Sequence, residues 1–172
     1  FSHNRELFDQ KDGKETSFIV KDIPFVINKN VQPVVTAQGV YVIDLLSVTP
    51  VFEKNRDVQF MPASTAKIIT ALVGLDVFDV DDTLEVKRAL DVGQTVGFIK
   101  GETFRFEDML YALLIHSGND AAYVIADNYP GGYAGFIGAM NKKAELLSMK
   151  NSSFKNPAGL DAGGQYTTAF DL

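Results

Sequence analysis

The sequence predicts an α+β domain, because strand-like and helix-like patterns occupy different stretches of a chain of ordinary domain length. Its 172 residues are 46% hydrophobic, which is enough to bury a core. Residues 39–46 and 51–54 are rich in β-branched and apolar residues, and residues 47–50 between them have turn composition. These stretches predict a β-hairpin.

Four later stretches predict helices, because they carry apolar residues at helical spacing. The first is predicted over about residues 62–78, since Pro62 suits a first helical position, and the second over residues 107–115. The third is predicted over about residues 121–128, with Asp120 as its N-terminal cap. After a Pro-Gly-Gly break, a fourth amphipathic helix is predicted from an apolar stripe formed by Phe136, Met140, Ala144 and Leu147.

The remaining stretches are less regular. Residues 1–30 are predicted to be an N-terminal lead segment that precedes the domain proper, residues 31–172. Residues 18–27 form an edge strand at best, because Pro24 interrupts their β-branched run. Residues 83–103 are predicted to form short strands or loops.

Composition excludes several classes of function. The net charge of −6 leaves no basic surface for nucleic acid. The chain has no cysteine and only two histidines, so a thiolate metal site is excluded and we expect no cofactor or metal. No apolar run reaches the roughly 18 residues that span a bilayer, so membrane association is expected only through segments outside this chain. The chain begins at Phe1 without a signal-peptide pattern, so we expect a processed or truncated start.

Ser64 and Lys67 are the strongest candidates for chemistry, because a three-residue offset at a helix start puts both side chains on one face. A serine hydroxyl needs a nearby base to attack a carbonyl, and a lysine can be that base only when its amine is neutral. The positive end of the helix dipole and the apolar sequence around Lys67 both favour the neutral amine. The simpler alternative is a helix-capping serine beside a solvated lysine.

The S-x-x-K spacing is weak evidence alone, since ordinary composition predicts roughly 0.6 matches by chance. A second match, from Ser152 to Lys155, follows the end of a predicted helix and precedes an Asn-Pro pair. It is therefore predicted to lie in a loop and to be a decoy.

Ser117-Gly118-Asn119 supplies a hydroxyl and a carboxamide from a tight turn between two predicted helices. Such a turn can aim both groups rigidly into a cleft. Glycine and asparagine are also common where helices stop, so the triplet alone is more simply explained as the end of a helix.

The two motifs in this order resemble the S-x-x-K and S-x-N elements of serine penicillin-recognising enzymes. The surrounding segments are similar to those of D-alanyl-D-alanine carboxypeptidases, the low-molecular-weight penicillin-binding proteins. These segments are PASTAKIITALV at 62–73, LLIHSGNDAA at 113–122, NPAGLD at 156–161 and YTTA at 166–169. The resemblance runs from about Gly39 to Leu172.

The resemblance implies an α+β fold of the penicillin-binding-protein and serine β-lactamase type, in which a helical cluster packs on an antiparallel sheet. Residues 31–172 would then be a partial D,D-peptidase catalytic domain. The implied partners are a peptidoglycan stem peptide and β-lactam antibiotics. The implied location is outside the cytoplasmic membrane, with a membrane anchor in the full-length protein.

The resemblance also implies a role for each candidate residue. Ser64 would attack the carbonyl of the penultimate D-alanine, and its backbone N–H would form half of an oxyanion hole. Lys67 would take the serine proton, and Ser117 would relay a proton toward the leaving amine. Asn119 would hold Lys67 and bind a substrate amide. Water would then hydrolyse the acyl-enzyme.

The chain departs from the family pattern in one respect, since the Lys-Thr-Gly triplet that should follow S-x-N occurs nowhere in it. In the family that triplet lies on a strand across the cleft. We therefore expect a chain truncated before this motif, with a sheet incomplete at its C-terminus. By itself such a piece should be acylated weakly or not at all.

A serine β-lactamase is the nearest alternative, because it shares the nucleophile and the base. Class A β-lactamases have an aspartate in the middle of S-D-N and a deacylating glutamate after it, whereas here the middle residue is Gly118 and the closest glutamate string, at Glu107, precedes Ser117. A catalytically silent penicillin-binding or sensor domain is a second alternative. Transpeptidation shares the acyl-enzyme and stays open. His116 adjoins the motif, but no Asp or Glu spacing marks a triad, so a packing or rim role is predicted for it.

Overall fold

The computed structural model describes Pro24 and residues 33–172. Among these residues the elements follow in the order β1 (Val40–Asp44), β2 (Thr49–Lys54), α1 (Ala66–Leu75), β3 (Thr83–Glu85), β4 (Thr103–Arg105), α2 (Phe106–Leu114), α3 (Asn119–Asn128) and α4 (Gly132–Leu146). Helices and short paired strands are mixed, as the predicted α+β class requires. The lead segment and the predicted strand at residues 18–27 lie outside the described residues, apart from Pro24.

The described residues belong to two compact units. The smaller one contains Pro24, residues 33–35 and Val42–Phe52. The larger one contains Thr36–Tyr41 and Glu53–Leu172, and therefore all four helices and every candidate site residue. The boundary at residue 30 between lead segment and domain stays a prediction.

The strands form two separate two-stranded sheets. β1 pairs with β2 in the predicted hairpin, and the Asp44 carboxylate closes its turn by accepting hydrogen bonds from the backbone N–H and the hydroxyl of Ser47 at 2.8 and 2.6 Å. β3 pairs antiparallel with β4, with Leu84 opposite Phe104. Residues 83–103 are therefore bounded by short strands, as expected.

The core of the larger unit lies where the four helices meet, because each helix turns an apolar face toward the others. The largest side chains buried there include Phe106, Met109, Leu113, Ile125, Phe136 and Met140. α1 contacts each of the other three helices. It therefore presents the residues at its N-terminus from the centre of the packed cluster.

Several predicted helix details are wrong. The first helix begins with a 3₁₀ turn, Ala63–Thr65, and ends at Leu75 rather than near residue 78. Asp120 does not cap α3, because Gly118 is the N-cap and Asp120 lies in the first turn, where its carboxylate accepts hydrogen bonds from a distant loop. Leu147 lies just past α4 and is 51% exposed, so it does not continue the buried stripe.

None of the helices in the described part of the chain is long and apolar enough to cross a membrane. Among Pro24 and residues 33–172, no three acidic or histidine side chains are grouped in a way that could hold a metal ion.

Candidate active site

Ser64 and Lys67 lie together where the 3₁₀ turn passes into α1. Ser64 is exposed, whereas Lys67 is only 2% exposed. The Lys67 amine donates a hydrogen bond to Ser64 Oγ at 2.9 Å. The three-residue offset thus places the serine at the surface and the lysine directly beneath it.

Ser117 and Asn119 approach the same amine from the turn between α2 and α3. The Lys67 amine lies 3.2 Å from Ser117 Oγ and 2.8 Å from Asn119 Oδ1, and both oxygens accept hydrogen bonds from it. The four predicted site residues therefore meet at one nitrogen atom.

This arrangement keeps the Lys67 amine hydrogen-bonded in both protonation states. An ammonium has three donors, and it faces three oxygens that can accept: Ser64 Oγ, Ser117 Oγ and Asn119 Oδ1. A neutral amine has two donors and one lone pair, so the Ser64 hydroxyl can turn and donate to it. A proton can therefore pass from Ser64 to Lys67 without leaving a buried polar atom unpaired.

Burial lowers the pKa of Lys67 below 10.5, because the charged ammonium loses its water shell. The negative charge of Asp120 acts in the opposite direction and raises the pKa. Burial is the larger effect, so the neutral amine is more abundant than on an exposed lysine.

The backbone is strained next to both serine motifs. Ala63 has a φ of 46° and Ser117 a φ of 59°, in the left-handed region that non-glycine residues rarely occupy. Such residues cost about 1 to 3 kcal/mol each, so the surrounding contacts must hold them in place. One of those contacts is the Gly118 N–H, which donates to the Ala112 carbonyl at 2.9 Å.

A cleft of about 590 Å³ opens over Ser64. One wall is formed by residues Val92 and Gln94, and the other by a loop that includes Gly159 and Asp161. Asn119 also lines the cleft. The exposed serine is therefore the group that a molecule in the cleft would meet.

Buried amide side chains brace the Gly159 wall. Asn156 Oδ1 accepts hydrogen bonds from the backbone N–H groups of Ala158 and Leu160, and Gln165 Nε2 donates to the Leu160 carbonyl at 2.7 Å. The Thr70 hydroxyl of α1 donates to the Pro157 carbonyl at 2.7 Å. Asn156 and Thr70 lie within segments that resemble the family, but the sequence pattern predicts no role for them or for Gln165, because hydrogen bonds to distant backbone groups carry no periodic signal.

The other two candidates lie where the sequence predicts them. His116 is exposed, with its Nε2 atom 3.0 Å from Nε2 of the cleft residue Gln94 and 3.2 Å from the Thr95 carbonyl. In the second S-x-x-K match, Lys155 is exposed and Ser152 donates to Asp171 Oδ2 at 2.7 Å. That segment belongs to no helix, as expected for a decoy.

A family model described as D-alanyl-D-alanine carboxypeptidase matches residues 27–172. The chain belongs to this family. The chain is 31% identical over 172 residues to D-alanyl-D-alanine carboxypeptidase DacF of Bacillus subtilis, and this match covers 96% of the chain and 41% of the relative. It is 36% identical over 149 residues to the D-alanyl-D-alanine endopeptidase of Escherichia coli, covering 82% of this chain and 46% of the relative.

The fold agrees with family membership. The crystal structure of the D-alanyl-D-alanine carboxypeptidase DacD from Francisella tularensis superposes with a TM-score of 0.78 at 29% identity, over 87% of this chain and 38% of that one. The predicted α+β penicillin-binding-protein type of fold is therefore confirmed. The chain spans less than half the length of these relatives.

Proposed function

We propose that this chain carries the nucleophile side of the active site of a serine-type D-alanyl-D-alanine carboxypeptidase. The observation that carries the proposal is the buried Lys67 amine in contact with an exposed serine, a second serine and a carboxamide. Family membership supplies the substrate class, since the matching model is described as D-alanyl-D-alanine carboxypeptidase.

Acylation begins when neutral Lys67 takes the proton of Ser64 Oγ, which then attacks the carbonyl carbon of the penultimate D-alanine. The Ser64 backbone N–H, in the 3₁₀ turn before α1, would stabilise the oxyanion. As the C–N bond breaks, the proton passes from Lys67 through the Ser117 hydroxyl to the leaving amine. The products of this step are free D-alanine and an ester on Ser64.

Deacylation uses the same groups in reverse order. Water attacks the ester carbonyl and loses a proton to Lys67. As the ester C–O bond breaks, Lys67 returns that proton to Ser64 Oγ, and the shortened stem peptide leaves. The Asn119 carboxamide is available to the substrate as well, because Nδ2 has two N–H bonds and donates only one of them to the Val92 carbonyl. The second N–H is free to bind a substrate amide in the cleft.

The proposed partners are a peptidoglycan stem peptide and β-lactams that acylate Ser64. Because the stem peptide lies outside the cytoplasmic membrane, we place the protein there, held by a membrane anchor in its full-length form. Residues 31–172 are proposed as the part of the D,D-peptidase domain in this chain, with residues 1–30 as the lead segment. No cofactor or metal is needed, since the lysine provides the base.

Two other activities would use the same serine nucleophile. The identity to the E. coli endopeptidase favours cleavage of peptide cross-links as a second candidate. A class A β-lactamase is disfavoured by Gly118, because a Cβ there would lie 2.9 Å from Asp120 Oδ1 and 3.1 Å from Val96 Cγ2. The aspartate of an S-D-N motif would require both of these side chains to shift.

The first test is acylation of the full-length protein by a fluorescent penicillin, with the labelled peptide mapped by mass spectrometry. We expect label on Ser64, none in Ser64→Ala or Lys67→Met, and normal labelling in the matched decoy variants Ser152→Ala and Lys155→Met. Label that persists in Ser64→Ala would refute the proposal. Release of D-alanine from an acyl-D-Ala-D-Ala peptide, compared with cleavage of a cross-linked dimer, separates carboxypeptidase from endopeptidase.

A further inference from the structure

The cleft wall that contains Val92 and Gln94 belongs to a loop, residues 91–99, without regular secondary structure. Most of its residues are exposed. Such a loop does not keep one shape through packing alone. Phe98 anchors one end of the loop by packing against Phe104, with ring centroids 4.8 Å apart, and hydrogen bonds to α3 hold the rest of the wall in place.

Asp120 holds one half of this loop. Its carboxylate is buried, since the residue is 3% exposed. Asp120 Oδ2 accepts hydrogen bonds from three successive backbone N–H groups, those of Val96 at 2.9 Å, Gly97 at 2.8 Å and Phe98 at 3.3 Å. Hydrogen bonds to an ionised carboxylate are roughly twice as strong as neutral ones, so one side chain fixes three consecutive residues.

Asn119 holds the other half of the loop and is in turn oriented by it. The Asn119 backbone N–H donates to the Gln94 carbonyl at 2.7 Å, and its side-chain Nδ2 donates to the Val92 carbonyl at 2.8 Å. With Nδ2 held by the loop, the other end of the carboxamide, Oδ1, points at the Lys67 amine. If the loop were displaced, the Asn119 carboxamide could rotate. The Lys67 amine would then lose one of its fixed hydrogen-bond acceptors.

We propose that Asp120 is a positioning residue for acylation, which orients the Asn119 carboxamide toward Lys67 by holding the 91–99 loop in place. The proposal rests on the proposed function, because it concerns the same lysine and serine. Asp120 acts through the loop and through Asn119 and does not touch the reacting atoms.

The charge of Asp120 gives a second, separable effect. Among the described residues, Asp120 is the charged side chain that acts on Lys67, and it raises the pKa of that lysine. Removal of the charge therefore lowers the pKa of Lys67 further. The acid limb of the pH profile of acylation, where the acylation rate falls as Lys67 becomes protonated, then moves to lower pH. Two other titratable groups lie nearby: His116 contacts Gln94 and Thr95 of the 91–99 loop, and Asp161 lines the opposite wall of the cleft.

The experiment compares Asp120→Asn with Asp127→Asn in the full-length protein. Asp127 lies on the same helix, and its carboxylate pairs with Arg88. Its substitution therefore controls for the loss of a carboxylate from α3. We expect Asp120→Asn to speed hydrogen exchange of the Val96 and Gly97 amides at least tenfold. At a pH above the acid limbs of both proteins it should slow acylation at saturating penicillin about tenfold, on the scale of one charged hydrogen bond. Asp127→Asn should change neither.

The pH profile tests the effect of the Asp120 charge on Lys67, which loss of stability alone would not produce. We expect the acid limb to move to lower pH in Asp120→Asn, and by the same amount when His116→Gln is added, which removes the neighbouring histidine from the titration. Asp120→Glu keeps the charge, so its acid limb should not move although its loop amides exchange faster. If Asp120 affected only the stability of the fold, without acting on Lys67, all acid limbs would stay where they are in the wild type.

The outcomes separate the two proposals. A wild type that is never acylated defeats the proposed function, whereas an acylated wild type with unchanged loop exchange in Asp120→Asn defeats this inference. If Asp120→Asn does not fold, hydrogen exchange of the Val96 and Gly97 amides in the wild type and in Asp120→Glu is the test. Slow exchange in the wild type, with faster exchange in Asp120→Glu, supports the proposal. Rapid exchange of these amides in the wild type overturns it.

Discussion

A Cβ atom on Gly159 would lie 1.7 Å from the carbonyl oxygen of Ala63, the residue that precedes Ser64. Gly159 also has a φ of 81°, which only glycine adopts without cost, and Ala63 itself is in the left-handed region at 46°. The loop that forms the second cleft wall therefore packs directly against the strained turn that contains Ser64. No side chain can be placed between them.

Gly159→Ala should consequently damage both stability and acylation. The new methyl group meets backbone rather than a movable side chain, so we expect a loss of about 3 kcal/mol or more in the free energy of unfolding. Urea denaturation measures this loss, and fluorescent-penicillin labelling of the fraction still folded should fall at least tenfold as Ser64 shifts.

Gly163→Ala is the matched control, because Gly163 follows in the same segment and a Cβ there meets nothing within 4 Å. Its unfolding curve and its labelling should match the wild type. Equal behaviour of the two alanine variants would show that the close approach of Gly159 to Ala63 does not exist in solution.

Lys67 should make stability depend on pH in a defined direction. The pKa of Lys67 in the folded protein is below 10.5, which is its value in the unfolded chain. Between the folded and the unfolded pKa, the unfolded chain therefore binds more protons than the folded one. Stability then rises with pH across that window. Below the folded pKa, burial of the ammonium lowers the free energy of unfolding by its full amount. Above 10.5 this loss is absent, because the amine is neutral in both states.

The measurement is the free energy of unfolding of the wild type minus that of Lys67→Met, followed from neutral pH to about 10.5. The difference should increase as pH rises, because methionine does not titrate. Lys155→Met, which removes an exposed lysine, controls for the change in net charge. A difference that stays flat or falls with pH would mean that the amine is not desolvated.

The local part of this site is predictable from sequence for a physical reason. One helical turn brings Ser64 and Lys67 together, and an apolar run around the lysine predicts its burial at 2% exposure. The helical core follows from the same periodicity, since Phe136, Met140 and Ala144 are all buried. These inferences need only contacts between residues a few positions apart.

The distant contacts are not predictable in this way. The meeting of Asn119 with Lys67 joins residues 52 positions apart, and only the family resemblance pointed to it. Asp120 looked like a helix cap because aspartate favours that position. Its actual partners are the amides of residues 96–98, and backbone groups leave no mark in a sequence.

Ser117→Ala should slow both acylation and D-alanine release without preventing folding. Ser117 Oγ accepts a hydrogen bond from the Lys67 amine, and in the proposed mechanism it carries the proton to the leaving amine. A positioned proton donor contributes about 10² to 10⁴ in rate, so we expect kcat for an acyl-D-Ala-D-Ala peptide to fall by about 10² or more. KM should change little, because the serine acts mainly in the transition state.

Ser148→Ala is the control for this variant. Ser148 is exposed and has a φ of 60°, almost the same as the 59° of Ser117, so both substitutions place alanine in the same backbone conformation. If Ser148→Ala keeps full activity while Ser117→Ala loses it at equal stability, the loss belongs to the hydroxyl and not to the strained turn. If Ser117→Ala retains wild-type kcat, the proton must reach the leaving amine directly from Lys67 or through water, and the relay is wrong.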